Sequence, residues 1–135
     1  MRRTPRWLLF AFVMIGFACG GDSTGPNDSV AGSYSLRTIN GANLPFIIAQ
    51  TGQDKIELTA DVLTLTDGGA FTQITTIRTT INGQASTSSI SDAGFYTRNG
   101  TAISATFNSG GTATGTISGG QITVAQDGFS YVYRK

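Results

Sequence analysis

The chain has 135 residues, of which 39 % are apolar and only 13 % charged, with 18 Gly, one Cys and no His. That length holds one compact domain and a tail. The lack of His excludes His-based triads and His-ligated zinc, and a lone Cys excludes an internal disulfide or a paired-cysteine metal knuckle. No G-x-S-x-G elbow occurs either, so the abundant Ser and Thr hydroxyls have no base to activate them. The sequence is therefore read as a non-enzyme, with no catalytic residue, no metal site and no cofactor.

Arg2, Arg3 and Arg6 open the chain as a positive region, and residues 7–18 then run without a charge. Twelve such residues reach only about 18 Å as a helix, short of the roughly 30 Å hydrocarbon core. The segment thus predicts a signal peptide over 1–18 and not a membrane span. Arg2-Arg3 is followed by Thr4-Pro5-Arg6-Trp7, which lacks the pattern of a twin-arginine signal. The end of the segment, Gly16-Phe17-Ala18-Cys19, resembles the lipobox of bacterial lipoproteins. Ala18 fits the position before cleavage and Cys19 the lipidated thiol, whereas Gly16 and Phe17 depart from the usual Leu and small residue. The alternative is an ordinary secretory signal that ends beside a spare thiol. One acyl chain holds a protein only marginally, with an association constant of about 10⁴ M⁻¹. The two or three chains that the resemblance implies would anchor it to the membrane without a spanning helix. Gly20 is not an acidic retention residue, so the family's sorting rule implies export to the cell envelope and delivery to the outer membrane.

Residues 19–29 are polar and rich in Gly, Ser, Asp and Asn, the composition of a flexible tether. Removal of residues 1–18 takes three basic residues away, leaving six basic against eight acidic, a net charge of −2. A sparsely charged, mildly acidic body has no basic stripe for a phosphate backbone, which excludes nucleic acid as a partner.

From residue 30 to 135 the punctuation is regular. Asn40-Gly41, Asp67-Gly68-Gly69, Asn82-Gly83, Asn99-Gly100, Ser109-Gly110-Gly111, Ser118-Gly119-Gly120 and Asp127-Gly128 are turn signals, because these residues accept the positive φ of tight hairpins. Seven turns separate eight strands. Tyr34 and Leu36 share a face of the first. In the next, Ile56, Leu58, Ala60 and Val62 oppose Lys55, Glu57, Thr59 and Asp61, and Leu63 and Leu65 then take the other phase. That slip predicts a β-bulge. Later strands carry Phe71, Ile77 and Ile81; Phe95; Ile103 and Phe107; Ile117; Ile122 and Val124; and Phe129, Tyr131 and Tyr133. No segment after Cys19 has a helical period with caps. The class is all-β, and short consecutive turns favour an eight-stranded antiparallel meander that closes into a barrel over a sandwich, because closure removes edges that so few charges would guard. Outward positions of Thr, Ser, Lys, Glu and Arg argue against a transmembrane barrel.

The run Gly32-Ser33-Tyr34-Ser35-Leu36, the segment from Leu63 through Asp67-Gly68-Gly69 to Phe71, Gly94-Phe95-Tyr96, and the closing Tyr131-Val132-Tyr133-Arg134 resemble the lipocalin-like, or calycin-like, small β-barrels of bacterial lipoproteins. Lipocalins place a Trp on the first strand beneath an Arg of the last. The resemblance implies that Tyr34 and Arg134 fill those places and close the barrel through a cation over a ring.

An eight-stranded barrel is filled by side chains or holds one small ligand. The 29 Val, Ile, Leu, Phe and Tyr residues of 30–135 fill one modest core, which leaves both readings open. The long connection 42–54 is oddly apolar: it is expected to plug the core or add a short strand, the alternative being a lid over a ligand. Leu44, Phe46, Ile48, Phe71, Phe95, Phe107 and Tyr131 are the candidate ligand-binding residues. Asp54, Glu57 and Asp61 are close enough in sequence to suggest glycoside hydrolysis or calcium. Glu57 and Asp61 alternate with the apolar residues, however, and are read as solvated charges beside Lys55. The function expected is carriage of a small apolar ligand by a membrane-anchored envelope protein; the alternative is a filled structural or interaction module, such as an inhibitor or assembly factor, that engages an envelope protein.

Overall fold

A computed structural model describes residues 29–135. Cys19, the expected signal peptide and nearly all of the expected tether lie outside the described residues. The chain forms β1 (Gly32–Ile39), β2 (Ala42–Asn43), β3 (Phe46–Thr51), β4 (Asp54–Leu65), β5 (Ala70–Ile81), β6 (Gln84–Asn99), β7 (Ala102–Phe107), β8 (Thr112–Ser118), β9 (Gln121–Gln126) and β10 (Phe129–Arg134). All pairings are antiparallel, in the order β2-β1-β10-β9-β8-β7-β6-β5-β4-β3. A further pairing of β1 with β4 shuts the sheet into an eight-stranded meander barrel. All seven turn signals fall at junctions between strands, Asn99 being the last residue of β6. In three of them, Asn40-Gly41, Asn82-Gly83 and Asp127-Gly128, both residues have positive φ, the twist that matches a two-residue hairpin.

Closure is a division of labour within β1. Its first half, Gly32 to Ser35, pairs with Leu65 to Val62 of β4. Its second half, from Ser35 to Ile39, pairs with Arg134 to Tyr131 of β10, with a register shift between Leu36 and Thr38. The shift turns the strand from one neighbour toward the other. Tyr34, Leu36 and Ile39 point inward and are buried.

The barrel does not use the full length of its longest strands. Residues 54–58 of β4 pair with β3 instead of β1, and β6 pairs with β7 only from Gly94 onward. Beyond the barrel rim, β3, the first half of β4, the second half of β5 and the first half of β6 therefore continue as a four-stranded flap. The connection 42–54 supplies β2 and β3, so its hydrophobes complete a sheet, in line with the extra-strand expectation.

Two phase readings require correction. The register shift of β4 falls between Leu58 and Ala60, not between Val62 and Leu63. With Thr59 as the extra residue, Asp61 joins Leu63 and Leu65 on the inner face, and it is 4 % exposed. It is not a solvated charge. Glu57 does stand on the outer face, yet it too is only 4 % exposed, because Lys55 and Arg78 cover it through ion pairs of 3.2 and 2.8 Å. The closing cation also differs. Arg134 lies opposite Ser35 and so faces outward; one residue on, Lys135 shares the face of Tyr34 and holds its Nζ 5.6 Å from the ring centroid. A cation–π contact at such a site contributes about 0.5–1 kcal/mol. The Nζ also donates to the Ala31 carbonyl at 2.7 Å.

Gly94 marks the corner where β6 leaves the flap and enters the barrel. A Cβ there would come within 2.0 Å of the Thr106 carbonyl oxygen and 2.9 Å of the Phe71 ring. Only glycine allows the ring to lie on this stretch of backbone. Gly94→Ala should cost about 1–3 kcal/mol of stability, as overpacking does. Gly68→Ala, where the nearest atom is 4.0 Å away, should stay within about 0.5 kcal/mol. Urea midpoints of the two variants check the contrast.

Candidate functional site

Filling of the barrel is uneven along its axis. Around Leu65, Phe71, Ile103 and Ile122 the packing leaves a void of only about 30 Å³. Toward the flap, a cavity of about 190 Å³ is lined by the small residues Ala105 and Ala113 together with Phe71, Phe107, Tyr131 and Tyr133. Drug-sized ligands occupy roughly 300–1,000 Å³, whereas a cavity of about 150 Å³ takes benzene. The space thus suits a body of one ring. Phe71 and Phe107 meet edge to face at 5.1 Å. Phe46 and Phe129 do the same at 6.3 Å, and Phe129 lies 6.3 Å from Tyr131. A hollow of about 270 Å³ at the flap tip, between Gln50, Lys55 and Thr80, is shallow and wide open.

One part of the cavity wall is polar. Asp61 Oδ1 accepts hydrogen bonds from Gln73 Nε2 at 3.1 Å and Tyr133 Oη at 3.1 Å, and Oδ2 accepts from Gln73 Nε2 at 2.9 Å and Thr75 Oγ1 at 2.6 Å. Gln73 Nε2 also lies 3.3 Å from Tyr133 Oη. Every donor is neutral. Burial pushes the Asp61 carboxyl up from the ordinary carboxylate range, and the hydrogen bonds from Thr75, Gln73 and Tyr133 offset part of that rise. Tyr133 is driven far above the ordinary phenol range, first by burial and then by the charge and hydrogen bond of Asp61. Tyr131 is raised by burial, with smaller pushes from Asp127 and Asp61.

The other acids go elsewhere. Asp54 accepts from the Asn82 backbone N–H at 2.9 Å at the flap tip. Glu57 is held below the usual carboxylate range by the Arg78 guanidinium, whose Nε and Nη2 donate to it at 3.0 and 2.8 Å. Three acids that are neighbours in sequence thus reach three separate places, which gives neither a hydrolytic pair nor a shared ion site.

Of the candidate ligand residues, Phe71, Phe107 and Tyr131 line the cavity. Leu44 and Phe46 pack against the core nearby without entering that wall. Ile48 occupies the register shift of β3 and is exposed. Phe95 pairs with Ala70 one position beyond the inward Gly94, so it faces outward and is 65 % exposed. Gln73, Thr75 and Tyr133 are not among the residues the sequence singles out for a site, and Asp61 is weighed there only for hydrolysis or calcium and read as a solvated charge. Alternation of Asp61 with Leu63 and Leu65 was the available signal, masked by Ala60 and Val62, which are apolar in the opposite phase. No family model, no curated protein and no solved structure matches the chain.

The shift at Asp61 fixes a sign. A carboxyl whose pKa is higher folded than unfolded binds more protons in the native state, so its contribution to stability falls as pH rises from about 4 through the folded value. Asp61→Asn removes that dependence. The stability of the variant relative to the parent should therefore increase between about pH 4 and pH 7, read as the difference in urea midpoints across that range.

Proposed function

We propose that this protein is a membrane-anchored envelope β-barrel that carries one small apolar ligand inside the barrel and performs no chemistry of its own. The observation that carries the reading is the cavity of about 190 Å³, lined by Phe71, Phe107 and Tyr131 and given its space by the small residues Ala105 and Ala113. Apolar cavities of this size bind small rings because the lining otherwise lacks partner atoms. Anchoring rests on the sequence, in which an apolar leader ends at Cys19 and a polar tether follows.

Two variants separate the claims. Ala113→Leu places a larger side chain in the cavity, and toluene binding to the full chain, followed by ligand-observed NMR, should fall below detection while the circular dichroism stays that of the parent. Retained toluene binding would contradict carriage in the barrel. Cys19→Ser should shift the chain from the membrane pellet to the soluble fraction after export.

A second reading, an interaction module for an envelope protein, is favoured by the flap. Among the described residues, nothing pairs with residues 84–92 of β6 on the side away from β5. That edge has no Lys, no Pro and no register shift, the usual guards of an open edge, and Ile90 beside it is 60 % exposed. An added strand from a partner would satisfy the edge. Ser89→Lys should weaken such pairing, seen as loss of cross-links from this edge in intact cells.

A further inference from the structure

We infer that the otherwise apolar ligand of the barrel cavity carries one protonated amine, with its nitrogen at Asp61 and an apolar body of about one ring against Phe71 and Phe107. This rests on the reading of the cavity as a ligand site and names the chemistry of its occupant.

The argument is one of unbalanced charge. Asp61 is an almost fully buried carboxylate in a wall that is otherwise apolar or neutral. From β5 it faces Gln73 and Thr75, from β10 Tyr131 and Tyr133, and from its own strand Leu58 and Leu63; β7, β8 and β9 present Ala105, Phe107, Ala113, Val124 and Gln126. The titratable groups among these are the two tyrosines, and both are shifted toward keeping their protons. Among the described residues, the cavity wall contains no Lys or Arg. Lys55 and Arg78 form their ion pairs with Glu57, on the outer face. A buried anion without a cation is costly however many neutral donors it accepts from.

Three kinds of ligand would meet this wall differently. An anion is repelled. A neutral ring expels water from around the carboxylate and returns nothing for it. An ammonium group supplies the missing charge with three donors of its own. The wall has room for such a donor in its bonding pattern, because Gln73 Nε2 offers two hydrogens to three acceptors, and one of those places can pass to the ligand. Phe107 and Tyr131 also line the cavity, and an aromatic face attracts a cation.

The test uses the full chain at pH 7 with benzylamine, benzyl alcohol and toluene, measured by competition in ligand-observed NMR. Benzylamine should bind at least tenfold more tightly than benzyl alcohol, and Asp61→Asn should bring the two within about twofold while toluene still binds. Equal or tighter binding of benzyl alcohol to the parent chain overturns the amine assignment and leaves the cavity reading intact. Failure of all three compounds to bind the parent chain overturns the cavity reading and the amine assignment together. Because the decisive comparison is made on the parent chain, an Asp61→Asn variant that failed to fold would not blunt it.

Discussion

The structure depends on how one short strand divides its hydrogen bonds. β1 serves β4 with its first half and β10 with its second, and without that exchange the sheet would remain open at both ends of the barrel series. Ser35 sits at the crossing, paired with Val62 on one side and Arg134 on the other. Directly inside this seam the side chains repeat the connection, because Tyr133 of β10 donates to Asp61 of β4 at 3.1 Å. Backbone bonds through β1 and this side-chain bond thus tie the same two strands together, and the polar cluster stands on the wall of the cavity. Burial of a carboxylate there opposes folding, and three neutral donors offset part of the cost.

Much of this architecture was legible before any coordinates. Asn-Gly, Asp-Gly and Gly-Gly pairs accept a backbone twist that other residues resist, so each of the seven marked turns appears where the sequence put it. What could not be read was phase. A bulge changes which residues face inward, yet leaves little trace in composition, and moving it from Val62 to Thr59 carries Asp61 from water into the core. The same one-residue logic exchanges Arg134 for Lys135 above Tyr34. β3 was obscured for another reason: its apolar residues lie in an extension of the sheet and its pairing partner is the outer half of a strand already assigned to the barrel.

The cavity follows from the same local choices. Where Ile103, Ile117 and Ile122 face Tyr34 and Leu65, side chains meet across the barrel and close it. One pleat further toward the flap, Ala105 follows Ile103 on the inner face of β7 and pairs with Ala113 of β8, and these small residues leave the space that the aromatic rings line. Space, a ring-lined wall and one uncompensated carboxylate coincide at a single level of the barrel. The nearness of Asp54, Glu57 and Asp61 in sequence does not become nearness in space, because alternation and the bulge send each to a different environment.

The most direct measurement is the titration of the Asp61 side-chain carboxyl, followed by ¹³C NMR in the full chain. A closed barrel with this group inside its wall gives a midpoint above the ordinary aspartate value of about 3.9. A midpoint at or below that value would place the carboxylate in water or beside a cation, and would contradict both the inward phase of β4 and the site built upon it.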